Sequence, residues 1–178
     1  MSSRHSFHNG YVMRIFLENE AQTQSLGKLL ARALRRFGPC HVFLEGTLGA
    51  GKTTLVRGLV ENLPGGEKAE VSSPSFNLVN VYPTDPETVH IDLYRTGNTG
   101  LDESLDEYLA QTQSLVIVEW SEFLPPENRA ADALTIDLRY WQEARQAVIS
   151  GQGKRAAKIV DELSGLSLRT SGLKAQNG

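Results

Sequence analysis

The stretch Gly46-Thr47-Leu48-Gly49-Ala50-Gly51-Lys52-Thr53-Thr54 fits the pattern G-x-x-x-x-G-K-[ST], which binds the phosphates of a nucleotide. Each fixed position has a physical reason. The glycines tolerate positive φ and let backbone N–H groups approach phosphate oxygens without a Cβ in the way. A helix starting at the lysine adds partial positive charge where the phosphates sit. Lys52 would reach the β- and γ-phosphates, the Thr53 hydroxyl would ligate Mg²⁺, and Gly46, Leu48, Gly49, Ala50, Gly51 and Thr54 would complete the nucleotide-binding loop. A Gly-rich turn between strand and helix is the plain alternative. The surroundings favour the phosphate reading: His41–Glu45 reads as a short buried strand, and Leu55, Val56, Leu59 and Leu63 recur at helical spacing after the loop. The chain is expected to bind a nucleoside triphosphate.

Such a site needs an acid on a neighbouring strand to hold Mg²⁺ or orient water. Glu119 ends the apolar run Leu115–Val118 and is the best candidate, set against a strand-end glutamate that simply meets solvent. Asp92, between Ile91 and Leu93, is a second candidate for the metal or the attacking water; an exposed strand face is its alternative. The hydroxyls of Ser72, Ser73 and Ser75 around Pro74 could form a switch loop that senses the γ-phosphate, or only a polar turn. Trp120 could stack on a base or a partner, although a tryptophan beside a core strand is more often packing. His41 and His90 sit in strands without metal-ligand spacing and read as structural. Lys154, Arg155 and Lys158 read as a solvated helix face. The guanine-reading motif Asn-Lys-x-Asp is missing, which favours ATP over GTP. An arginine finger, worth ~10³–10⁵ in rate, cannot be assigned, so the chain alone should hydrolyse slowly and a partner should complete the site.

Elements in the expected order would position these groups. Met13–Leu17 reads as a first strand and 21–37 as a helix, with Leu26, Leu29, Leu30, Ala33, Leu34 and Phe37 on one face and Asn19 with Gln22 as a capping box. Runs at 78–82 and 89–94 look like an antiparallel pair. A short acidic helix follows at 101–109, then the strand 115–120, a terminal hairpin from Leu134 to Ser150, and a last helix from Gly153 to Leu163. The fold class is α/β, a three-layer P-loop NTPase fold with a mainly parallel central sheet, antiparallel additions and helices on both faces. Residues 1–12 read as a flexible leader, 13–163 as one ATPase domain and 164–178 as a flexible tail; Met13 is an alternative start. Net charge is −3 and the pI about 5.8, so no global positive field draws the 178-residue chain to nucleic acid or anionic membrane. One cysteine, Cys40, excludes an intrachain disulfide. With neither a long apolar run nor a signal-peptide core, a cytoplasmic protein is expected.

Assembled, these pieces resemble the bacterial family of tRNA threonylcarbamoyladenosine biosynthesis ATPases (TsaE, formerly YjeE). The resemblance runs from about Ile15 to Ser150. It rests on the Gly46–Thr54 loop, Ser73-Pro74-Ser75-Phe76 followed by Leu78-Val79, His90-Ile91-Asp92-Leu93-Tyr94-Arg95, the helix ending Glu107-Tyr108-Leu109, and Val118-Glu119-Trp120. It implies a Mg²⁺-dependent ATPase that supports a two-protein threonylcarbamoyl-transferase core of TsaB and TsaD type. That core modifies adenosine 37 of tRNA, and the ATPase is not itself the transferase. It further implies that Lys52, Asp92 and Glu119 are catalytic, that Thr53, Glu119 and Asp92 face the metal, and that Ser73, Pro74 and Ser75 respond to the nucleotide. Glu20 and Thr23 would lie beside the base, and Arg145 would be the basic residue of the terminal hairpin. Two departures stand out: Thr47 where the family usually has Asp, and Ser75 where it usually has Thr. A small P-loop kinase, and a nucleotide-gated binding module with incidental hydrolysis, are the rival readings. The kinase would need an acceptor pocket and an arginine-rich lid, and no segment reads as one.

Overall fold

A strand that is apolar on both faces must be covered on both faces, and two central stretches behave that way. Val42 and Leu44 enter one core while Phe43 enters another; likewise Leu115 and Ile117 separate from Val116 and Val118. The computed structural model describes residues 12–97, 104–167 and 175–176. Its strands are β1 (Val12–Leu17), β2 (His41–Gly46), β3 (Val79–Tyr82), β4 (Thr88–Asp92), β5 (Leu115–Glu119), β6 (Ala133–Trp141), β7 (Ala144–Gln152) and β8 (Ala175–Gln176). Its helices are α1 (Glu20–Phe37), α2 (Lys52–Val60), α3 (Ser104–Leu109) and α4 (Lys154–Ser167).

All the strands join one sheet in the order β3-β4-β5-β2-β6-β7-β1-β8. The central four, β4-β5-β2-β6, are parallel, and the outer pairings are antiparallel. The mainly parallel centre with antiparallel additions is therefore present, and helices lie on both faces. α1, α2 and α4 contribute Leu26, Leu30, Leu55, Leu59, Ile159 and Leu163 to the core on one side. On the other, Leu105 and Leu109 of α3 join Leu124 over Phe43, Val89 and Ile91. Each fully buried leucine contributes about 1.5–3 kcal/mol of transfer free energy.

The cap of α1 differs from the expected box by one residue. The Asn19 side chain accepts from the Gln22 N–H at 3.0 Å, but Gln22 Oε1 reaches past Asn19 to the Glu18 N–H at 2.8 Å. α1 and α2 then touch through glycines. A Cβ on Gly27 would collide with the backbone of Leu55 and Leu59, and one on Gly58 with the backbone of Gln24. That contact fixes where α2, and with it Lys52, begins.

Several boundaries move. Leu63 lies beyond α2, in the turn that follows, and is still buried. The acidic helix is described from Ser104 to Leu109, and its expected start at 101 lies outside the described residues. Residues 1–11 of the expected leader also lie outside them, and Val12 already belongs to β1. α4 continues to Ser167, and Ala175–Gln176 pairs with Arg14 and Ile15. Part of the expected tail is thus regular structure.

Candidate nucleotide site

The loop between β2 and α2 takes the backbone conformation that its glycines permit: Gly46, Gly49 and Gly51 have φ of 117°, 76° and 104°. Gly51 caps α2 in the left-handed region, leaving the first-turn N–H groups of the helix without intrahelical partners. Lys52, buried at the helix start, folds its ammonium back over the loop. Nζ donates to the Gly46 and Thr47 carbonyls at 2.8 and 3.0 Å and lies 3.6 Å from the centre of the Trp120 ring. Burial pulls the Lys52 pKa below its ordinary value, with Glu119 foremost among the carboxylates that oppose the shift.

β4 and β5 deliver the acids. Parallel pairing sets Asp92 opposite Glu119, so both carboxylates leave the C-terminal edge of the sheet on the side of α2. Glu119 Oε1 accepts the Thr53 hydroxyl at 2.9 Å and lies 3.0 Å from His90 Nε2. By donating to Glu119, Thr53 keeps its lone pairs free for a cation. Asp92 accepts from Ser73 Oγ at 2.6 Å and from the Tyr94 N–H at 2.9 Å. These groups line a cavity of about 410 Å³ together with Leu48, Gly49, Gly51, Thr54 and Ser75, and the aromatic pair Tyr94–Trp120, 4.8 Å between ring centres, forms one wall.

The remaining expected residues divide. Gly46 bonds Lys52 through its carbonyl, Ala50 is buried beneath the loop, and buried Pro74 closes the turn at 75–77 by accepting from the Leu78 N–H at 2.6 Å. Thr23 and Arg145 flank Gly51: a Cβ there would lie 3.5 Å from Thr23 Cγ2 and from Arg145 Nε. The Arg145 Nε–H is buried and has no hydrogen-bond partner, so a polar group arriving at this edge would satisfy it. Glu20 is exposed at the start of α1 and is not among the residues lining the cavity. Sequence reasoning missed three neighbours. Tyr140 donates from its hydroxyl to the Gly49 carbonyl at 2.8 Å, Tyr94 packs on Trp120, and His90 contacts Glu119. His90 alone carried a signal: it stands two residues before Asp92 and so shares its face of the strand. His41 is structural as expected, its Nε2 lying 2.9 Å from the Leu109 carbonyl.

Comparison with known proteins decides the kinship. The family model for "Threonylcarbamoyl adenosine biosynthesis protein TsaE" matches residues 17–148. The chain belongs to the TsaE family. Named family relatives include the "tRNA threonylcarbamoyladenosine biosynthesis protein TsaE" of Streptomyces coelicolor, 39% identical over 75% of this chain and 93% of its own length. Its counterpart in Haemophilus influenzae is 33% identical over 84% and 96%. The crystal structure of Bacillus subtilis YdiB superposes with a TM-score of 0.68 and 24% identity, covering 90% of this chain and 99% of YdiB, a likeness of fold. Within the TsaE family match lie the glycine loop, the Ser73–Ser75 turn, Asp92, Glu119, Trp120 and Arg145.

The residues present suit a nucleotide with Mg²⁺. Glycines with positive φ make a cradle that a Cβ would disturb, and the oxygens of Thr53, Glu119 and Asp92 are hard donors of the kind Mg²⁺ takes. No helix among the described residues is long and apolar enough to cross a membrane.

Proposed function

We propose that this chain is a Mg²⁺-dependent ATPase that supports threonylcarbamoyladenosine modification of tRNA adenosine 37 in the cytoplasm, working with transferase proteins of TsaB and TsaD type and reaching tRNA through that complex. The observation that carries the reading is the Thr53–Glu119 contact at the mouth of the glycine loop, in a chain of this family. It joins a P-loop hydroxyl to a strand-end carboxylate, as a nucleotide·Mg²⁺ site requires. The loop N–H groups and Lys52 hold the phosphates, and Lys52 exchanges two carbonyls for charge-assisted bonds. Thr53 and Glu119 would hold Mg²⁺, which when bound would supply charge neutralisation to the phosphates. Asp92 orients water or reads the nucleotide through its bond to Ser73, and Thr23 and Arg145 flank the nucleotide on the far side of Gly51. Lys52 is the cation among the described residues lining the cavity, and a single lysine leaves the transition-state charge incompletely neutralised. A partner is therefore expected to complete the site.

The test is ATP hydrolysis by the purified chain, alone and with its organism's transferase core, for wild type and Lys52→Ala. Stimulation by the core that Lys52→Ala abolishes is expected. Absence of both stimulation and association would refute partner activation, and phosphoryl transfer to a small metabolite would reassign the chain as a kinase. A Glu119→Gln variant that binds ATP and partners and still supports modification would make hydrolysis incidental.

A further inference from the structure

His90 reads from sequence as a core histidine, and its surroundings argue for more. It is fully buried, and both ring nitrogens face polar groups: Nε2 lies 3.0 Å from Glu119 Oε1 and Nδ1 3.3 Å from the Tyr82 hydroxyl. His41, the other strand histidine, has a backbone carbonyl as its partner. The difference follows from register. Strand alternation puts Val89 and Ile91 into the core on the α3 side, so His90 and Asp92 project to the α2 side, where Glu119 emerges from the adjacent parallel strand.

We propose that His90 is a positioning residue for the metal site: its imidazole holds Glu119 in the orientation that faces Thr53, and Tyr82 holds the imidazole. An ionised carboxylate has no proton to give, so Nε2 donates to Glu119 Oε1, while the Tyr82 hydroxyl, which donates to the Ser72 carbonyl at 3.2 Å, lies against Nδ1 on the other side of the ring. Thr53 and His90 then converge on the same oxygen, Oε1, leaving Oε2 to turn toward a cation or its water. Behind Tyr82 stands Asn80, whose amide reaches the Tyr82 hydroxyl at 3.4 Å and the Ser72 carbonyl at 3.2 Å. The carboxylate is thus referenced to the first residue of the serine turn. Such outer contacts fix ligand geometry, and their loss typically weakens metal affinity by 10–100-fold.

The inference rests on the Mg²⁺-nucleotide reading above. Nucleotide binding is measured by calorimetry across a Mg²⁺ titration and again in EDTA, for wild type, His90→Gln, His90→Leu and His90→Asn, with near-UV circular dichroism to confirm folding. Glutamine can place an amide N–H near the Nε2 position; leucine and asparagine cannot reach Glu119, and either serves if the other fails to fold. The Mg²⁺ concentration for half-maximal strengthening should rise about 10–100-fold in the leucine and asparagine variants and stay within about threefold of wild type in His90→Gln. Affinity in EDTA should be unchanged throughout. A wild-type Mg²⁺ requirement in the folded leucine or asparagine variant overturns the proposal, as does a glutamine variant that falls as far as leucine. Wild-type protein that binds nucleotide without regard to Mg²⁺, or not at all, refutes the functional reading itself, and this inference with it.

Discussion

Replacing Gly58 by alanine adds one methyl group to a helix, and in an isolated helix it would stabilise by about 1 kcal/mol. Here the sign should reverse. A Cβ on Gly58 would collide with the Gln24 carbonyl oxygen and lie 2.7 Å from Gln24 Cα and 2.9 Å from its carbonyl carbon. Carbon–carbon contacts favour 3.5–4.0 Å, so α1 and α2 must part by roughly 1 Å. The obstructing atoms are backbone, and no rotamer change can relieve them. Overpacking of this kind costs about 1–3 kcal/mol, which outweighs the propensity gain in all but the mildest case. For a chain of this size the net loss, up to about 2 kcal/mol, corresponds to a fall in Tm of up to roughly 8 °C. Gly27, which faces Leu55 and Leu59 across the same contact, should behave alike.

The displacement also reaches the site. α2 begins at Lys52, and Thr23 of α1 lies beside Gly51, so parting the helices pulls the phosphate loop away from the wall that supports it. Urea unfolding and calorimetric nucleotide titration on Gly58→Ala should therefore both show a loss. Alanine at an exposed helical position such as Ser25 serves as the control. A Gly58→Ala protein as stable as wild type, with unchanged nucleotide affinity, would refute the claim that glycine–backbone contact sets the position of α2.

Burial holds the His41 pKa below its ordinary 6.5, so below that pH the unfolded chain takes up a proton that the folded chain refuses. Stability should then decline as pH falls through 6.5 toward the folded pKa, by at most about 1.4 kcal/mol per pH unit from this group. Urea midpoints from pH 7.5 to 5.5 should show that component vanish in His41→Gln, and an identical slope in both proteins would refute it. The Cys40 thiol is 4% exposed and its pKa is pushed up to about 12, chiefly by burial, so a thiol reagent at pH 8 should label unfolded but not native protein. Rapid labelling of the native chain would contradict this burial. Tyr140→Phe removes the bond to the Gly49 carbonyl at an exposed position, so stability should fall by no more than about 1 kcal/mol in urea unfolding. A larger loss would mean that the hairpin tip anchors the loop more firmly than one solvent-accessible hydrogen bond can.

What could be read from sequence was local. The glycine loop declares itself because phosphate binding fixes residue types at short spacing, and β5 because five buried apolar or acidic positions in a row leave few alternatives. Asn19 announced the start of α1, since only a few side chains can accept from a helix's free N–H groups. Leu63 misled because helical periodicity cannot distinguish a last helical turn from a tight turn that also points inward. The placement of β1 was hidden for another reason: its partner β7 lies more than a hundred residues away, and alternation tells which side chains face inward but not which strand is the neighbour.

Gly46 shows why the local and non-local parts of the site cannot be separated. Read as sequence, it opens the phosphate loop. In the sheet it pairs with Leu138 of β6, and any Cβ there would strike the Leu138 carbonyl. Its φ of 117° turns the chain out of the strand while that close approach keeps β6 against β2. The continuation of β6 then carries Tyr140 to Gly49, and β7 returns Arg145 to Gly51. A side chain at position 46 would therefore disturb the loop from within and lift the hairpin that flanks it from outside. For this reason Arg145 comes to lie beside Gly51: its place is set by strand register across Gly46, which no motif around Arg145 itself encodes.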